Sequence, residues 1–458
     1  MDSMTDHEDS SRGAPAAGED QLAPILLDMD TGVDDALAIG LLMAYAPERL
    51  VAVIATYGNV TQSVAQRNTR DVLDLLGGGS IPVFDGCRCP SWADGFVADR
   101  ACAHFHGDNG LADLHVQDYM PAPARHDGAP SVRGGGAVYD FSASDIDFTV
   151  AGTMNAGALG ADTRHRTAKT PVSSWTDEPA ATQSAEPEYL KSMTPPIISV
   201  GGYLPKLPDL SSAPLRGRNL LSTLTEEYGP VEMAVRPADT AGVRAIIEAV
   251  RRWGKNLTVV CTGPLTDVAA AMIEAPDIIP DLRLVIMGGA LTQQGNCFDT
   301  VSETNILQDP EAADLVCRSL ADITMVGLDV THRCLLGRET AEHWANSGVV
   351  GRFFTDLSYF MITANEESDP MFASGAPMHD PLAVAAAIDP SLIRVFDVAL
   401  RVDTATGNRE GVRGRTIGDG SRLNDPSAPR CHVALDVDVP RFLDMLDRGI
   451  PALSQRLA

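Results

Sequence analysis

The chain contains few basic residues in comparison with its acidic residues. Its 458 residues include 35 lysines and arginines against 62 aspartates and glutamates, which gives a formal net charge of −27. Such an excess of negative charge disfavours nucleic acid and anionic membranes as partners. The sequence also lacks any apolar run long enough to span a bilayer. We therefore expect neither nucleic acid nor a membrane among its partners.

Cysteines are scattered and suggest no structural pattern. Among the eight cysteines only Cys87 and Cys89 are close together, in C-x-C spacing, which fits neither a zinc site nor a disulfide framework. The first 23 residues are acidic and lack the basic and apolar regions of a signal peptide. We expect a disordered N-terminal tail over residues 1–23 and a reducing, cytoplasmic location.

A dense group of carboxylates lies in residues 25–40, ILLDMDTGVDDALAIG. An apolar run precedes the acids, and apolar residues at helical spacing follow them until Pro47. This pattern predicts a strand, a tight turn and a helix, with Gly32 providing backbone freedom in the turn. The acids at the turn are Asp28, Asp30, Asp34 and Asp35.

Carboxylates this close together repel one another unless a positive charge lies among them. Ca²⁺ takes about six to eight oxygen ligands and prefers carboxylates, so the cluster predicts a site for a hard divalent cation. In the alternative interpretation one aspartate caps the helix and the others are solvated. Capping uses a single side chain and leaves the other acids unexplained, which favours the metal site.

Predicted strands and helices alternate along most of the chain. Continuous apolar runs at 50–55, 257–261 and 282–287 are typical of strands covered on both faces, and residues 241–253 form an amphipathic helical pattern. This order predicts an open, Rossmann-like α/β fold with a mostly parallel central sheet and helices on both faces. In such folds ligands bind at the carboxyl ends of the strands.

Residues 117–230 are rich in Pro, Gly, Ser, Thr and Ala and have no sustained helical or strand period. A stretch of this length inside a compact domain indicates an insertion or a disordered region. We therefore predict one α/β domain formed by residues 24–116 and 231–458, interrupted by a low-complexity, mobile insertion at 117–230. Residues 103–111, which include His104 and His106, are interpreted as a glycine-rich loop.

Two further polar groups follow the predicted strands. The stretch GNCFDTVSETN contains Asn296, Glu303 and Asn305, whose oxygens and amides suit sugar hydroxyls. Asp380 precedes a Pro-led helix; taken alone, it is best explained as a helix N-cap with Pro381 at the first helical position.

The motifs, in their order, resemble those of the inosine/uridine-preferring nucleoside N-ribohydrolases over about residues 24–116 and 235–455. The matching segments are Asp28-x-Asp30-x-Gly32-x-Asp34-Asp35, Tyr57-Gly58-Asn59, His106-Gly107-x-x-Gly110-Leu111, Thr262-Gly263-Pro264-Leu265-Thr266, Met287-Gly288-Gly289, Glu303-x-Asn305, Asp309-Pro310-Glu311-Ala312-Ala313 and His379-Asp380-Pro381.

The resemblance implies hydrolysis of the N-glycosidic bond of uridine- and inosine-type ribonucleosides to free base and ribose, in purine and pyrimidine salvage. It also implies a homo-oligomer, either a dimer or a tetramer. The Ca²⁺ ligands that it implies are Asp30, Asp35, Asp380 and the main-chain carbonyl of Thr262. The substrate-binding residues that it implies are Asp34, Asn59, His106, Met287, Asn296, Glu303 and Asn305.

The implied chemistry is consistent with these residue types. Cleavage creates an oxocarbenium-like ribosyl cation, which an acidic pocket stabilises. The resemblance makes Asp30 the group that accepts a proton from a Ca²⁺-bound water. The resemblance also implies that His379 is the second catalytic residue and that either His379 or His106 protonates the leaving base.

The sequence departs from the family pattern in the helix before the His-Asp-Pro motif. Many members carry an aromatic pair there, and the matching positions in this chain are Met361 and Asn365. The loss of aromatic stacking partners leads us to expect a preference for pyrimidine nucleosides, or a broad preference, over strict purine specificity. A second departure is Thr31, where the family often has proline.

Two other functions remain as alternatives. The stretch ILLDMDTGV also resembles the signature of haloacid-dehalogenase-like phosphatases, in which Asp28 would be the nucleophile and Mg²⁺ the metal, but this leaves Asp34, Asp35 and Glu303 without roles. The second alternative is a non-catalytic, Ca²⁺-dependent binder of nucleosides or sugars.

Overall fold

A computed structural model describes residues 23–120, 238–297, 300–405, 412–422 and 425–458. The predicted N-terminal tail and the predicted insertion therefore lie outside the described residues, apart from residue 23 and residues 117–120. The division into one domain and a mobile insertion stays a prediction.

Eight of the strands form one sheet, whose order is β3-β2-β1-β4-β5-β6-β12-β9. Seven of its strands are parallel, and β9 runs antiparallel to β12 at one edge. Two small sheets pair β7 with β8 and β10 with β11. The strands are β1 Ile25–Met29, β2 Leu50–Ala55, β3 Val83–Asp85, β4 Thr258–Cys261, β5 Arg283–Met287, β6 Asp322–Val326, β7 Leu335–Leu336, β8 Ala376–Pro377, β9 Ile393–Val398, β10 Leu400–Val402, β11 Thr416–Gly418 and β12 Cys431–Val437.

The α-helices cover both faces of the sheet, which confirms the predicted open α/β fold. They are α1 Val33–Tyr45, α2 Gln62–Leu75, α3 Arg100–His106, α4 Ala241–Trp253, α5 Thr266–Glu274, α6 Thr304–Gln308, α7 Pro310–Cys317, α8 Leu328–Thr331, α9 Arg338–Trp344, α10 Val349–Ser368, α11 Asp380–Ile388 and α12 Val439–Arg456.

The core has two parts because alternate residues of a buried strand point to opposite faces. In β1, Leu27 packs with Leu37 of α1 and Leu382 of α11 on one face. The neighbouring Leu26 packs with Ile246 of α4 on the other face. All of β1 and β2 is buried, which explains their uninterrupted apolar sequences.

The strand order reverses direction at β1. From β1 the chain adds β2 and β3 on one side, whereas β4, β5 and β6 follow on the other side. A crevice for ligands forms at such a switch point, outside the carboxyl ends of the strands. The carboxylate-rich segment that follows β1 is therefore placed where ligands bind in open α/β sheets.

One local prediction is wrong: His104 and His106 lie on a helix and not in a loop. Helix α3 begins after Asp99, whose side chain accepts a hydrogen bond from the Ala101 amide at 3.1 Å. It ends at Gly107, whose φ of 78° favours glycine. The sequence has only about two turns of helical pattern there, too few for a helix to stand out from its glycine-rich neighbours.

Among the described residues, no helix combines the length and the apolar character needed to cross a bilayer.

Candidate active site

The turn between β1 and α1 brings the acids together, and it requires glycine because other side chains approach closely. A Cβ on Gly32 would lie 2.5 Å from His106 Nδ1 and 2.9 Å from Asn59 Nδ2. Likewise, a Cβ on Gly58 would lie within 3.0 Å of the Asp30 carboxylate. The two glycines thus let the turns after β1 and β2 pack against each other.

Asp30 is fully buried and is held by Asn59, which follows β2. Its Oδ2 accepts a hydrogen bond from the Asn59 main-chain amide at 2.6 Å, and its Oδ1 accepts one from Asn59 Nδ2 at 3.2 Å. The same Nδ2 lies 3.2 Å from Asp35 Oδ2. Asn59 therefore connects two of the predicted metal ligands.

Three buried carboxylates form a compact acidic group: Asp34, Asp35 and Asp380 each offer an oxygen within 4.8 Å of the others. Asp35 accepts hydrogen bonds from the Gly32 amide at 2.8 Å and from Thr262 Oγ1 at 2.6 Å. Asp34 Oδ1 is buried without a hydrogen-bond partner among the described residues. Converging oxygens with one unpaired acceptor fit a hard cation.

The electrostatics of the acidic group also favour a cation. Burial, and then the charge of Asp34, raises the pKa of Asp35 to about 6. Burial and the neighbouring aspartates raise the pKa of Asp380 and of Asp30 well above the usual range. A bound cation would offset both the desolvation and the mutual repulsion of these groups.

The compact acidic group and the predicted set of metal ligands share Asp35 and Asp380 but differ in their other members. Asp34, predicted to bind sugar, belongs to the compact group together with Asp35 and Asp380. The oxygens of Asp30 face Asn59, and the Thr262 carbonyl accepts a hydrogen bond from Asn305 Nδ2 at 2.7 Å. The assignment of Asp30 and Thr262 as metal ligands stays a prediction.

Three of the predicted substrate-binding residues, Met287, Glu303 and Asn305, lie together at the carboxyl end of β5. Glu303 precedes α6 and accepts hydrogen bonds from the amides of Asn305 at 2.9 Å, Ile306 at 3.0 Å and Gly289 at 2.9 Å. The side-chain Nδ2 of Asn305 donates to the Met287 carbonyl at 3.2 Å. These bonds fix the orientation of Glu303 and Asn305 at the carboxyl end of β5.

Asn296 lies farther along the same loop. Its Oδ1 accepts hydrogen bonds from the Thr304 main-chain amide and the Thr304 hydroxyl, both at 3.1 Å. Its own amide donates to the Ser302 carbonyl at 3.1 Å. These bonds connect Asn296 to Ser302 and Thr304.

Two histidines approach the acidic group from other elements. His106 Nδ1 accepts a hydrogen bond from the Val33 amide at 3.1 Å and lies 3.9 Å from Asp34 Oδ1. His379, directly before α11, lies 2.8 Å from Thr331 Oγ1 through its Nδ1. Burial lowers the pKa of His106 to about 4 and of His379 to about 3.

The structure adds residues to which the sequence gave no role. His332 packs edge-on against His379, with ring centroids 5.7 Å apart, and its Nδ1 lies 3.2 Å from Gln293 Nε2. Thr331 and His332 follow β6, so their position after a strand was a usable signal. Polar residues also follow other strands of this chain, so position alone did not distinguish Thr331 and His332 from those residues.

The positions of the expected aromatic pair carry buried side chains. Met361 and Asn365 of α10 are 3% and 5% exposed. The Asn365 amide donates to the Met361 carbonyl at 2.9 Å, within the helix. Neither side chain provides an aromatic surface for a base.

Asp28 has Asp267 as its charged neighbour, whereas Asp30 has Asp35 and Asp34, and this separation from the acidic group argues against the phosphatase alternative. Asp28 lies within β1 at 1% exposure, and neither of its carboxylate oxygens has a hydrogen-bond partner among the described residues. Burial, and then the charge of Asp267, raises its pKa well above the usual range. A phosphatase nucleophile must reach its substrate as a carboxylate.

The fold and the site together define an α/β enzyme that binds a small polar molecule among carboxylates and amides at a sheet switch point. Over residues 25–444 the chain matches the family described as inosine-uridine preferring nucleoside hydrolase. The chain belongs to this family, and it is therefore a hydrolase of nucleoside N-glycosidic bonds.

Individual relatives extend along nearly the whole chain. The purine-preferring ribonucleoside hydrolase from Gardnerella vaginalis is 30% identical, with a TM-score of 0.64 over 94% of this chain and 99% of that one. The pyrimidine-specific ribonucleoside hydrolase RihA of Citrobacter koseri is 26% identical over 425 residues, which are 92% of this chain and 96% of the relative. A plant nucleoside hydrolase at 23% identity, with a TM-score of 0.60 over 94% of this chain and 99% of that one, shows the same fold.

Proposed function

We propose that the protein is a Ca²⁺-dependent nucleosidase that cleaves uridine- and inosine-type ribonucleosides to free base and ribose, with Asp30 as the proton acceptor. The observation that carries this proposal is the buried group of Asp34, Asp35 and Asp380 next to Asp30 at the switch point. Family membership supports the reaction, and the all-oxygen donor set supports calcium.

The metal would be held by Asp35, Asp380 and the predicted ligands Asp30 and the Thr262 carbonyl, with Asp34 adjacent. When bound, Ca²⁺ supplies a Lewis acid that lowers the pKa of water and chelates ribose hydroxyls. The unpaired Asp34 Oδ1 and the raised pKa values of Asp35 and Asp380 fit this role.

Side chains of the protein would carry out the remaining steps of the reaction. Buried carboxylates stabilise the positive charge that develops on ribose, and Asp30 accepts the proton of the attacking water. The proposed sugar-binding residues are Asp34, Asn59, Met287, Asn296, Glu303 and Asn305.

The leaving base would be protonated from the histidine side of the pocket. Because His106 Nδ1 accepts the Val33 amide, a neutral His106 carries its proton on Nε2. The low pKa values of His106 and His379 keep both rings neutral near pH 7. A neutral imidazole donates one N–H hydrogen bond to the departing base, and full proton transfer would use the protonated form of His106 or His379.

Calcium affinity is expected to fall by about tenfold between pH 7 and pH 5. Asp35 has a pKa raised to about 6 in the metal-free protein, so lowering the pH through this value protonates a ligand with which Ca²⁺ must compete. Calorimetric titration with CaCl₂ at pH 5, 6 and 7 measures the change. An affinity that is constant or rises on acidification would contradict the assigned role of Asp35.

Free ribose should appear with uridine and inosine as substrates, and kcat/KM for uridine should equal or exceed that for inosine. The reason is that Met361 and Asn365 are buried and provide no aromatic surface for stacking a purine. Release of reducing sugar, measured across both nucleosides, tests reaction and preference together. Binding without ribose release would support the non-catalytic binder. A kcat/KM for inosine more than about tenfold above uridine, near 1.4 kcal/mol, would refute the preference.

A further inference from the structure

We propose that Arg415 is a positioning residue that holds the sugar-binding loop in the conformation that binds the substrate. The sugar-binding loop is defined here by its described residues, 290–297 and 300–303, which include Asn296 and Glu303. This inference rests on the proposed function, because it concerns how the proposed sugar-binding residues are kept in place.

The guanidinium of Arg415 joins the two ends of the loop. Its Nη1 donates to the carbonyls of Gln293 at 2.9 Å and Val301 at 2.8 Å, and its Nη2 donates to the Leu291 carbonyl at 3.1 Å. Leu291 and Gln293 lie in the first described limb of the loop, residues 290–297, and Val301 lies in the second, residues 300–303. One planar cation therefore fixes both limbs, which a flexible, single-centre ammonium could not do equally well.

The neighbouring residues of the β10–β11 hairpin brace the same region. The Thr416 hydroxyl accepts from the Ala290 amide and donates to the Ala290 carbonyl, both at 2.9 Å. The Arg413 carbonyl accepts a hydrogen bond from the Ser302 hydroxyl, and the Arg413 guanidinium pairs with Glu311 through two contacts of 2.8 Å. The hairpin thus contacts the loop at its start, through Ala290, and at its end, through Ser302.

Fixing the loop also fixes the groups proposed to contact sugar. Glu303 follows Ser302 directly and accepts the Gly289 amide, and Asn296 bonds to Thr304 across the loop. If the limbs separate, these two side chains move relative to Asp34 and Asp380, which belong to other elements. Effects on binding of the nucleoside should then exceed effects on the metal.

The test compares Arg415→Met with Arg401→Met, an exposed arginine on β10 of the same hairpin. We expect Arg415→Met to raise KM for uridine by at least about tenfold, with a smaller change in kcat, because displaced sugar contacts weaken substrate binding. Thr416→Val, a nearly isosteric change that removes both bonds to Ala290, should raise KM in the same direction. Arg415→Lys should fall between Arg415→Met and the wild type, and Arg401→Met should match the wild type.

A purely structural role gives a different result, since partial unfolding lowers apparent kcat and leaves KM unchanged. Hydrogen exchange provides a second readout that needs no substrate. Amides in the sugar-binding loop should exchange at least about tenfold faster in Arg415→Met, while the segment from β1 to α1 and the Ca²⁺ stoichiometry stay as in the wild type. Unchanged exchange and KM within twofold of the wild type would overturn the proposal. If the wild type itself releases no ribose, the proposed function fails, and hydrogen exchange still decides the role of Arg415.

Discussion

Asp30→Asn is expected to lower kcat by ~10²–10⁴, the range typical for loss of a positioned general base. The substitution is nearly isosteric, but an amide cannot accept the proton of the attacking water. The Asp30 carboxylate is buried and accepts two hydrogen bonds from Asn59, so its position is fixed before substrate binds. Weakened metal binding would add to the loss. Steady-state ribose release, measured at saturating uridine and saturating Ca²⁺, isolates the effect on kcat.

Asp28→Asn, two residues earlier in the chain, is the matched control. Asp28 is also buried, but its carboxylate oxygens have no hydrogen-bond partner among the described residues. We expect it to reduce kcat by less than about tenfold, mainly through stability. If Asp28→Asn abolishes turnover while Asp30→Asn retains most of it, or if labelled phosphate becomes trapped on Asp28, the assignment of the acidic turn is wrong.

Removal of calcium by a chelator is expected to abolish turnover and to lower the melting temperature. Asp34, Asp35 and Asp380 would then remain buried without a counter-charge, and the stabilisation from ligand binding would be lost. At a free Ca²⁺ concentration about 100 times Kd this linkage contributes about 2.7 kcal/mol to the free energy of unfolding. Calorimetric melting with EDTA, followed by added CaCl₂, should show the loss and its recovery.

Asp35→Asn provides the control for this experiment. It removes one charge from the acidic group and a ligand of the proposed metal, so its melting temperature should respond little to EDTA. Metal analysis of wild-type protein purified without chelator should find about one equivalent of calcium. No bound metal, or one equivalent of zinc, would contradict the calcium site even if EDTA inhibits.

Local sequence determined most of the strands and helices because buried parallel strands and amphipathic helices have strong patterns. The helix predicted at 241–253 is observed as Ala241–Trp253, and the strand at 50–55 as Leu50–Ala55. Short elements were less predictable: the short apolar run at 81–84 predicts a strand, which is observed as Val83–Asp85, and α3 was missed altogether. Few hydrogen bonds stabilise such elements locally, so tertiary packing decides where they begin and end.

The sequence by itself also determined that an acidic turn follows the first strand, and the ordered motifs indicated the family. Only the tertiary structure decided which acids meet. Asp380 is far from Asp34 and Asp35 in the chain and would be explained locally as a helix cap, yet packing of α11 against α1 places its oxygen within 4.8 Å of theirs. The three carbonyls held by Arg415 are equally invisible in the sequence. Residue spacing encodes contacts within an element, whereas contacts between elements depend on how the core packs them.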